Sequence, residues 1–204
     1  MKALFRAINR RKTKHYVTIV SGLPRSGTSM LMKMLEAGGM PLIADHLRTA
    51  DDDNPKGYYE FERVKKLPEG DFGWIEEAKG QGVKIISALL KHLPGDYAFR
   101  VLFLRRAIPE ILASQKKMLI RRNKDPNQIQ DEEMTQLYLK HLGDVESWLG
   151  EQENIQTLKI DYNQIIADPA PGINEINRFL DKALDTDAML RIVDPSLYRQ
   201  RGEK

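Results

Sequence analysis

The sequence predicts an α/β protein, a three-layer structure in which helices flank a parallel β-sheet. Three observations lead to this prediction. Short apolar runs alternate along the chain with longer stretches of helical period. The run at residues 97–104, YAFRVLFL, is almost continuously apolar, as a central strand of a parallel sheet is. The run at residues 16–20 is followed by a loop with a glycine at each end and then by a helix, and strands that alternate with helices favour a parallel sheet.

The other elements follow in the order that such a sheet requires. Residues 45–82 are polar and broken by glycine and proline, so we expect short helices there, one of them near residues 61–67. The acidic residues at 131–133 favour the first turn of a long helix, whose apolar positions recur at the helical period as far as Leu149. The predicted strands are residues 16–20, 83–86, 97–104 and 155–160, and the predicted helices begin near Thr28, Pro109, Asp131 and Ile173.

Composition places the chain among single globular domains. Its 204 residues are 41% hydrophobic and 30% charged, which is ordinary for a water-soluble domain that can bury a core. The net charge of +3 is too small to indicate nucleic-acid binding. The absence of cysteine excludes disulfides, thiolate metal sites and cysteine nucleophiles. Because no apolar run approaches about 20 residues, we expect a cytoplasmic protein without a transmembrane segment.

The most informative stretch is residues 16–35, YVTIVSGLPRSGTSMLMKML. Gly22 and Gly27 bound a loop between a strand and a helix, where backbone N–H groups and the helix dipole form a cradle for anions. The spacing fits G-x-x-x-x-G, but Thr28 and Ser29 follow where a Walker A loop has lysine and then serine or threonine. A cation stands inside the loop instead, as Arg25.

The stretch PRSGTS at residues 24–29 resembles the 5′-phosphosulfate loop of PAPS-dependent sulfotransferases, where PAPS is 3′-phosphoadenosine 5′-phosphosulfate. This resemblance, to a short bacterial-type member, implies the family's P-loop NTPase-like fold and places Arg25 at the family's Lys or Arg position. The loop residues that it assigns to PAPS binding are Pro24, Arg25, Ser26, Gly27, Thr28 and Ser29.

A second stretch, RRAIPEILAS at residues 105–114, extends the resemblance. In the family an arginine at the end of a strand and a serine eight residues later bind the 3′-phosphate, and Arg106 and Ser114 have this spacing. Glu110 occupies the acidic position between them, whereas Pro109 follows Arg106 by three residues instead of the family's two. Aligning Arg105 instead would give a spacing of nine, so we favour Arg106.

A third stretch resembles the family's late strand, its tyrosine, its Asp-Pro turn and its helix ending in Phe-Leu. The matching segments are residues 158–162, 165–169 and 178–180, to which we assign a structural role and no chemistry. The resemblance therefore runs from about residue 16 to residue 180. The family's C-terminal RKG-type loop has no counterpart, and Arg199 or Arg201 could replace it by charge alone.

The resemblance implies transfer of the sulfuryl group of PAPS to a hydroxyl or amine, in which positioning and charge stabilisation do most of the catalysis and no metal is needed. The acceptor also requires a general base. The polar stretch offers Asp45, His46, Glu60 and Glu62, and its NPKGYYE run at residues 54–60 resembles bacterial members. We favour Glu60, with His46 second, so the predicted catalytic residues are Arg25, Glu60 and His46.

The predicted organisation is one sulfotransferase-like domain over residues 1–204, with a basic N-terminal arm (1–14), a variable acceptor or lid region (45–82) and a basic tail (195–204). The small size leaves little chain for an acceptor pocket, which a second copy in a homo-oligomer could complete. Two alternatives stay open: a P-loop kinase using ATP and Mg²⁺, and a non-catalytic PAPS- or PAP-binding protein, PAP being the desulfated nucleotide. The acceptor itself is not specified by the sequence. His141, on the stripe of the long helix, is interpreted as a packed histidine.

Overall fold

The structure, a computed structural model, describes residues 16–45 and 57–193. The predicted arm, the basic tail, His46 and the first part of the NPKGYYE run lie outside the described residues. The strands are β1 (Tyr16–Gly22), β2 (Leu42–Ile43), β3 (Gly82–Lys84), β4 (Ala98–Arg105) and β5 (Ile155–Asp161). The α-helices are α1 (Thr28–Ala37), α2 (Ile108–Arg121), α3 (Asp131–Glu151), α4 (Tyr162–Ala167), α5 (Pro169–Phe179) and α6 (Thr186–Ile192), and two 3₁₀ helices cover Glu62–Glu69 and Ser87–His92.

The five strands form one parallel sheet in the order β2-β3-β1-β4-β5. β1 lies at its centre, and all seven of its residues are buried. The predicted α/β class with a parallel sheet between helices is confirmed. Because all strands run the same way, their carboxyl ends meet at one edge, where ligands bind in folds of this kind.

Two hydrophobic clusters cover the two faces of the sheet. Alternate residues of β1 point to opposite faces, so Val17 and Ile19 belong to the first cluster and Val20 to the second. The first cluster includes side chains of both 3₁₀ helices, α2 and α3. The second includes side chains of α1, α4, α5 and α6. The glycine loop (residues 22–27) therefore leaves the sheet between two packed layers.

Some elements differ from the sequence prediction. β3 is shorter than the predicted strand at residues 83–86, because the chain turns into the second 3₁₀ helix. β2 has two residues, too few for a periodic pattern. The regular stripe of α3 is only partly buried: Leu142 and Leu149 are in the core, whereas Leu137 is 49% exposed. Within the part of the chain that the structure describes, no helix has the length and hydrophobicity needed to cross a bilayer.

The amino edge of the sheet is joined to the end of α5 by Arg100. Its guanidinium donates to the carbonyl of Phe179 at 2.7 Å and lies 4.2 Å from the centre of the Tyr16 ring. The Tyr16 hydroxyl donates in turn to the carbonyl of Leu180. These contacts satisfy carbonyl groups at the end of a helix, which otherwise have no partner within it.

We expect Arg100→Met to lower the free energy of unfolding by about 2 kcal/mol, because a partly buried carbonyl loses a charged hydrogen-bond donor. Urea denaturation measures the change. The control is Arg178→Met, which removes a guanidinium at an exposed position of α5 and should change the stability by less than about 0.5 kcal/mol. Equal losses in the two variants would contradict a specific role for Arg100.

Candidate functional site

The glycine loop has a conformation that glycine alone permits at its two ends. A Cβ at Gly22 would lie 2.8 Å from the carbonyl oxygen of Leu104 on β4. Gly27 has a φ of 101°, and a Cβ there would lie 2.4 Å from the ring of Tyr162. The loop is thus packed against β4 on one side and against α4 on the other. This packing fixes the path of the backbone at the carboxyl edge of the sheet.

Helix α1 begins directly after this loop. Its N-cap residue is Gly27, which has no side chain to accept a hydrogen bond from the first turn. The amino end of a helix carries partial positive charge, and its first N–H groups bind anions in many proteins. Thr28 and Ser29 occupy the first turn and are half-buried. Pro24 is exposed at the tip of the loop.

Ser26 has a different environment from the one expected for a ligand-binding hydroxyl. Its side chain is fully buried, and the Cβ that Gly22 lacks would lie 2.6 Å from its Oγ. Among the described residues this Oγ has no hydrogen-bond partner. Its backbone N–H donates to the carbonyl of Leu23 at 3.1 Å, which closes the turn of the loop. The structure therefore points the Ser26 hydroxyl toward the sheet.

The structure brings together residues from two separate predicted motifs. Arg25 Nε donates to Ser114 Oγ on α2 at 2.9 Å, although 89 residues separate the two. The guanidinium of Arg106, just after β4, donates to the carbonyl of Arg25 at 3.1 Å. Arg105 points elsewhere and forms an ion pair with Glu146 of α3. Arg25, Arg106 and Ser114 thus lie in one site at the carboxyl edge of the sheet.

Arg106 is held by a buried charge pair. Its side chain is 8% exposed, and its Nε lies 2.9 Å from Oε2 of Glu110, whose side chain is 4% exposed. Asn163 of α4 donates to the other carboxylate oxygen at 2.8 Å. The guanidinium also lies over the ring of Tyr162, at 4.5 Å from its centre. Burial raises the pKa of the Tyr162 phenol, and the neighbouring Arg106 partly offsets that rise.

Sequence reasoning did not identify Tyr162 and Asn163 as members of the site. Tyr162 belongs to the third stretch, to which no chemistry was assigned, and Asn163 follows it directly, between two of its matching segments. One signal was present, since the segment follows a predicted strand and therefore has to start at the same edge of the sheet as the glycine loop. The contact with Gly27 requires the three-dimensional structure, because about 135 residues separate the two in the chain.

The candidate bases Asp45 and Glu60 are joined to each other by a hydrogen bond, and their segment is bonded to the end of β3, on the side of the sheet away from β4. The carbonyl of Glu60 accepts a hydrogen bond from the amide of Asp45 at 3.0 Å, and its side chain is half-buried. The Asp45 carboxylate accepts from the amide of Glu62 at 2.6 Å. Lys84, the last residue of β3, donates to the carbonyl of Tyr58. These bonds connect the segment that carries Glu60 to the carboxyl edge.

Of the other two candidates, the structure describes only Glu62. The Glu62 side chain is exposed and paired with Lys65 at 2.6 Å, as a solvated surface residue is. His46 lies outside the described residues, as do the three aspartates at 51–53. Within residues 16–45 and 57–193 no three histidine, aspartate or glutamate side chains are grouped as metal ligands would be.

Comparison with solved structures identifies the fold. The sulfotransferase STF1 from Mycobacterium tuberculosis H37Rv is similar with a TM-score of 0.58 and 14% identity, over 92% of this chain and 73% of that one. The sulfotransferase domain of the Synechococcus PCC 7002 olefin synthase matches with a TM-score of 0.56 and 15% identity, over 93% and 90% of the two chains. The sulfotransferase domain from the curacin biosynthetic pathway gives 0.54 and 14%, over 88% and 78%.

The similarity to these proteins is one of structure, because the sequence identities are only 14–15%. No model of a protein family matches the chain, and a search of curated proteins finds no match. At about 14% identity the comparisons establish the fold alone. The chain has a sulfotransferase-like fold, in agreement with the resemblance drawn from its sequence.

We expect Gly27→Ala to lower the free energy of unfolding by about 2–5 kcal/mol, because the new Cβ meets the Tyr162 ring in addition to the strain of a positive φ. Thermal or urea unfolding measures the loss. Gly39→Ala is the matched control: its φ is 89° and its Cβ would meet no atom within 4 Å, so it should lose only about 1–2 kcal/mol. Similar losses at both positions would mean that the Tyr162 ring moves aside and does not oppose the new Cβ.

Proposed function

We propose that this protein binds PAPS and transfers its sulfuryl group to a hydroxyl or amine of an acceptor. One observation carries the proposal: the contact between Arg25 and Ser114, which joins the loop expected at the 5′-phosphosulfate to the pair expected at the 3′-phosphate. Two groups that bind opposite ends of one nucleotide have to lie within a nucleotide's length of each other. The sulfotransferase-like fold supports the same proposal.

The residues present fit an anionic nucleotide. The amino end of α1 supplies partial positive charge at the loop, and Arg25 supplies a full charge. The hydroxyls of Thr28 and Ser29, in the first turn of α1, would donate to the 5′-phosphate. PAPS brings an activated sulfuryl group whose leaving group is already a stable phosphate. The lysine that a kinase loop uses on the β- and γ-phosphates of ATP is absent, which favours PAPS over ATP.

Arg106 is proposed to act at the 3′-phosphate in a different manner from an exposed surface arginine. Its charge is already partly compensated by Glu110, and its position is fixed by Tyr162 and by the carbonyl of Arg25. A preorganised donor needs no reorganisation when the ligand binds. Ser114 would complete this end of the site with a neutral hydroxyl.

Glu60 is proposed as the general base, and His46 stays a second candidate. A base has to lie within hydrogen-bonding reach of the acceptor hydroxyl. Its half-buried side chain favours Glu60 over Glu62, whose side chain is exposed. Its segment is joined to β3 next to the glycine loop, as the acceptor side of the site requires.

Isothermal titration calorimetry with PAP tests the nucleotide proposal. We expect micromolar binding of PAP and none of ATP with Mg²⁺. Arg25→Ala should weaken PAP roughly 10- to 100-fold through loss of a charged donor, and Ser114→Ala about fivefold. The control is Lys140→Ala, which removes one positive charge from an exposed position of α3 and should leave the affinity unchanged.

The outcomes of the titration separate the alternatives. Binding of ATP with Mg²⁺ while PAP gives no signal would overturn the sulfotransferase proposal in favour of a kinase. Arg106→Ala is less informative than Arg25→Ala, because it removes the positive charge beside the buried Glu110 carboxylate and so destabilises the fold. PAP binding without transfer to any acceptor would favour a non-catalytic binding protein.

Glu60→Gln tests the proposed base. We expect it to lower the rate of sulfate release from ³⁵S-labelled PAPS to water by roughly 100-fold or more, which is the contribution that general bases typically make. The affinity for PAP should not change, because Glu60 is expected on the acceptor side. Glu62→Gln, an exposed neighbour, is the control and should keep the wild-type rate. An unchanged rate in Glu60→Gln would assign the base elsewhere.

A further inference from the structure

We propose that Arg100 and Lys182, at the amino edge of the sheet, form a binding site for a small tetrahedral dianion such as sulfate or phosphate. This edge is at the opposite end of the strands from the candidate nucleotide site, so the inference does not depend on the proposed function. Both side chains are half-buried. Among residues 16–45 and 57–193, no carboxylate forms an ion pair with either of them.

The guanidinium of Arg100 is held through one of its two terminal nitrogens. Nη1 donates to the carbonyl of Phe179 at 2.7 Å and to the Tyr16 hydroxyl at 3.3 Å. The edge formed by Nε and Nη2 donates to none of the residues that the structure describes. That edge carries two parallel N–H groups, which is the geometry that binds two oxygens of one oxyanion.

Lys182 reaches the same edge of the sheet from the turn after α5. Its Nζ donates to the carbonyl of Gly80 at 2.9 Å, and the amide of Gly80 donates to the carbonyl of Tyr16 at 2.8 Å. An ammonium group has three N–H donors, so two of them are not used by the described part of the chain. Burial lowers the pKa of the Lys182 amine, and the charge of Arg100 lowers it further. The two cations are therefore close enough to repel each other.

The negative charge near this pair is small. The end of α5, where Arg100 binds a carbonyl, supplies roughly half a negative charge. Burial raises the pKa of the Tyr16 phenol, Arg100 lowers it, and the exposed carboxylate of Asp181 makes the smallest contribution, which raises it. The chain before Tyr16 contains no acidic residue. Two half-buried cations are thus incompletely balanced, and a bound dianion would remove their repulsion.

The arrangement fits an ion that is tetrahedral and doubly charged. Such an ion can present two oxygens to the fork of Arg100 and a third to the ammonium of Lys182, and its two negative charges match the two cations. Each cation is already fixed by a backbone carbonyl, so binding requires little reorganisation. Sulfate and phosphate share this chemistry, whereas acetate is planar and carries a single charge.

Competitive labelling of lysines with acetic anhydride, read by mass spectrometry, tests the site in the wild-type protein. The anhydride acylates the neutral amine, and a bound dianion stabilises the protonated form. We expect sulfate, compared with chloride at equal ionic strength, to slow the labelling of Lys182 about tenfold, as a rise of about one in its pKa would do. Lys79 is the matched control: it precedes Gly80 and is already paired with Glu76 at 2.8 Å, so its labelling should not change. Acetate should protect neither lysine.

Thermal unfolding of variants gives a second, independent measurement. An ion that binds the native state raises the midpoint of unfolding, so sulfate should raise it above the value in chloride. We expect this rise to be smaller in Lys182→Met than in the wild type, and largely kept in Lys182→Arg, which retains the charge. Lys79→Met should show the full rise, because its ammonium belongs to another pair. Sulfate bound at the glycine loop would affect the wild type and the three variants alike.

The outcomes decide the proposal without reference to the nucleotide. Equal slowing of Lys182 and Lys79, or equal protection of Lys182 by acetate, would show a general effect of salt and would overturn the site. A rise of the midpoint in Lys182→Met as large as in the wild type overturns it as well. Phosphate is tested in the same way; protection by either ion supports the site, and the stronger protection identifies the preferred ligand.

Discussion

The candidate site depends on one buried charge pair. Arg106 and Glu110 are both removed from solvent, so each charge is tolerable only because the other is present. The pair also organises its surroundings: Arg106 donates to the carbonyl of Arg25 in the glycine loop, and Asn163 donates to Glu110 from α4. The loop, the start of α2 and the start of α4 are therefore held in one arrangement by charge-assisted hydrogen bonds, which are the strong ones.

This arrangement gives the two arginines different electrostatic roles. A carboxylate lies beside Arg106 and compensates much of its charge, whereas a neutral hydroxyl, that of Ser114, orients Arg25. The amino end of α1, which begins directly after the loop, adds partial positive charge beside Arg25. Arg106 contributes a hydrogen-bond donor whose position is fixed, and it holds the glycine loop in place. Arg106 holds the carbonyl of Arg25 and so fixes the backbone that carries this second cation. A charged group that is fixed in advance needs no reorganisation when a ligand binds.

The fold could be predicted from the sequence because its main strands have local sequence patterns that identify them. The buried run of β4 and the glycine loop after β1 are local patterns, and the order of elements then leaves few topologies. β2 and α6 could not be predicted in the same way, since a two-residue strand and a seven-residue helix are shorter than the stretch over which a periodic pattern can be recognised. Their positions are set by packing against α1 and β3.

The site could be predicted where its residues have a recognisable spacing along the chain. It could not be predicted where residues from distant segments come together. Arg106 and Glu110 are four residues apart, which reads as an ordinary surface pair on a helix until the burial of both is known. Gly27 and Tyr162 are about 135 residues apart, and no pattern in either segment indicates that they meet. The glycine loop, the start of α2 and the start of α4 meet through contacts between distant segments, which is why the loop and the spacing of Arg106 and Ser114 could be predicted and their junction could not.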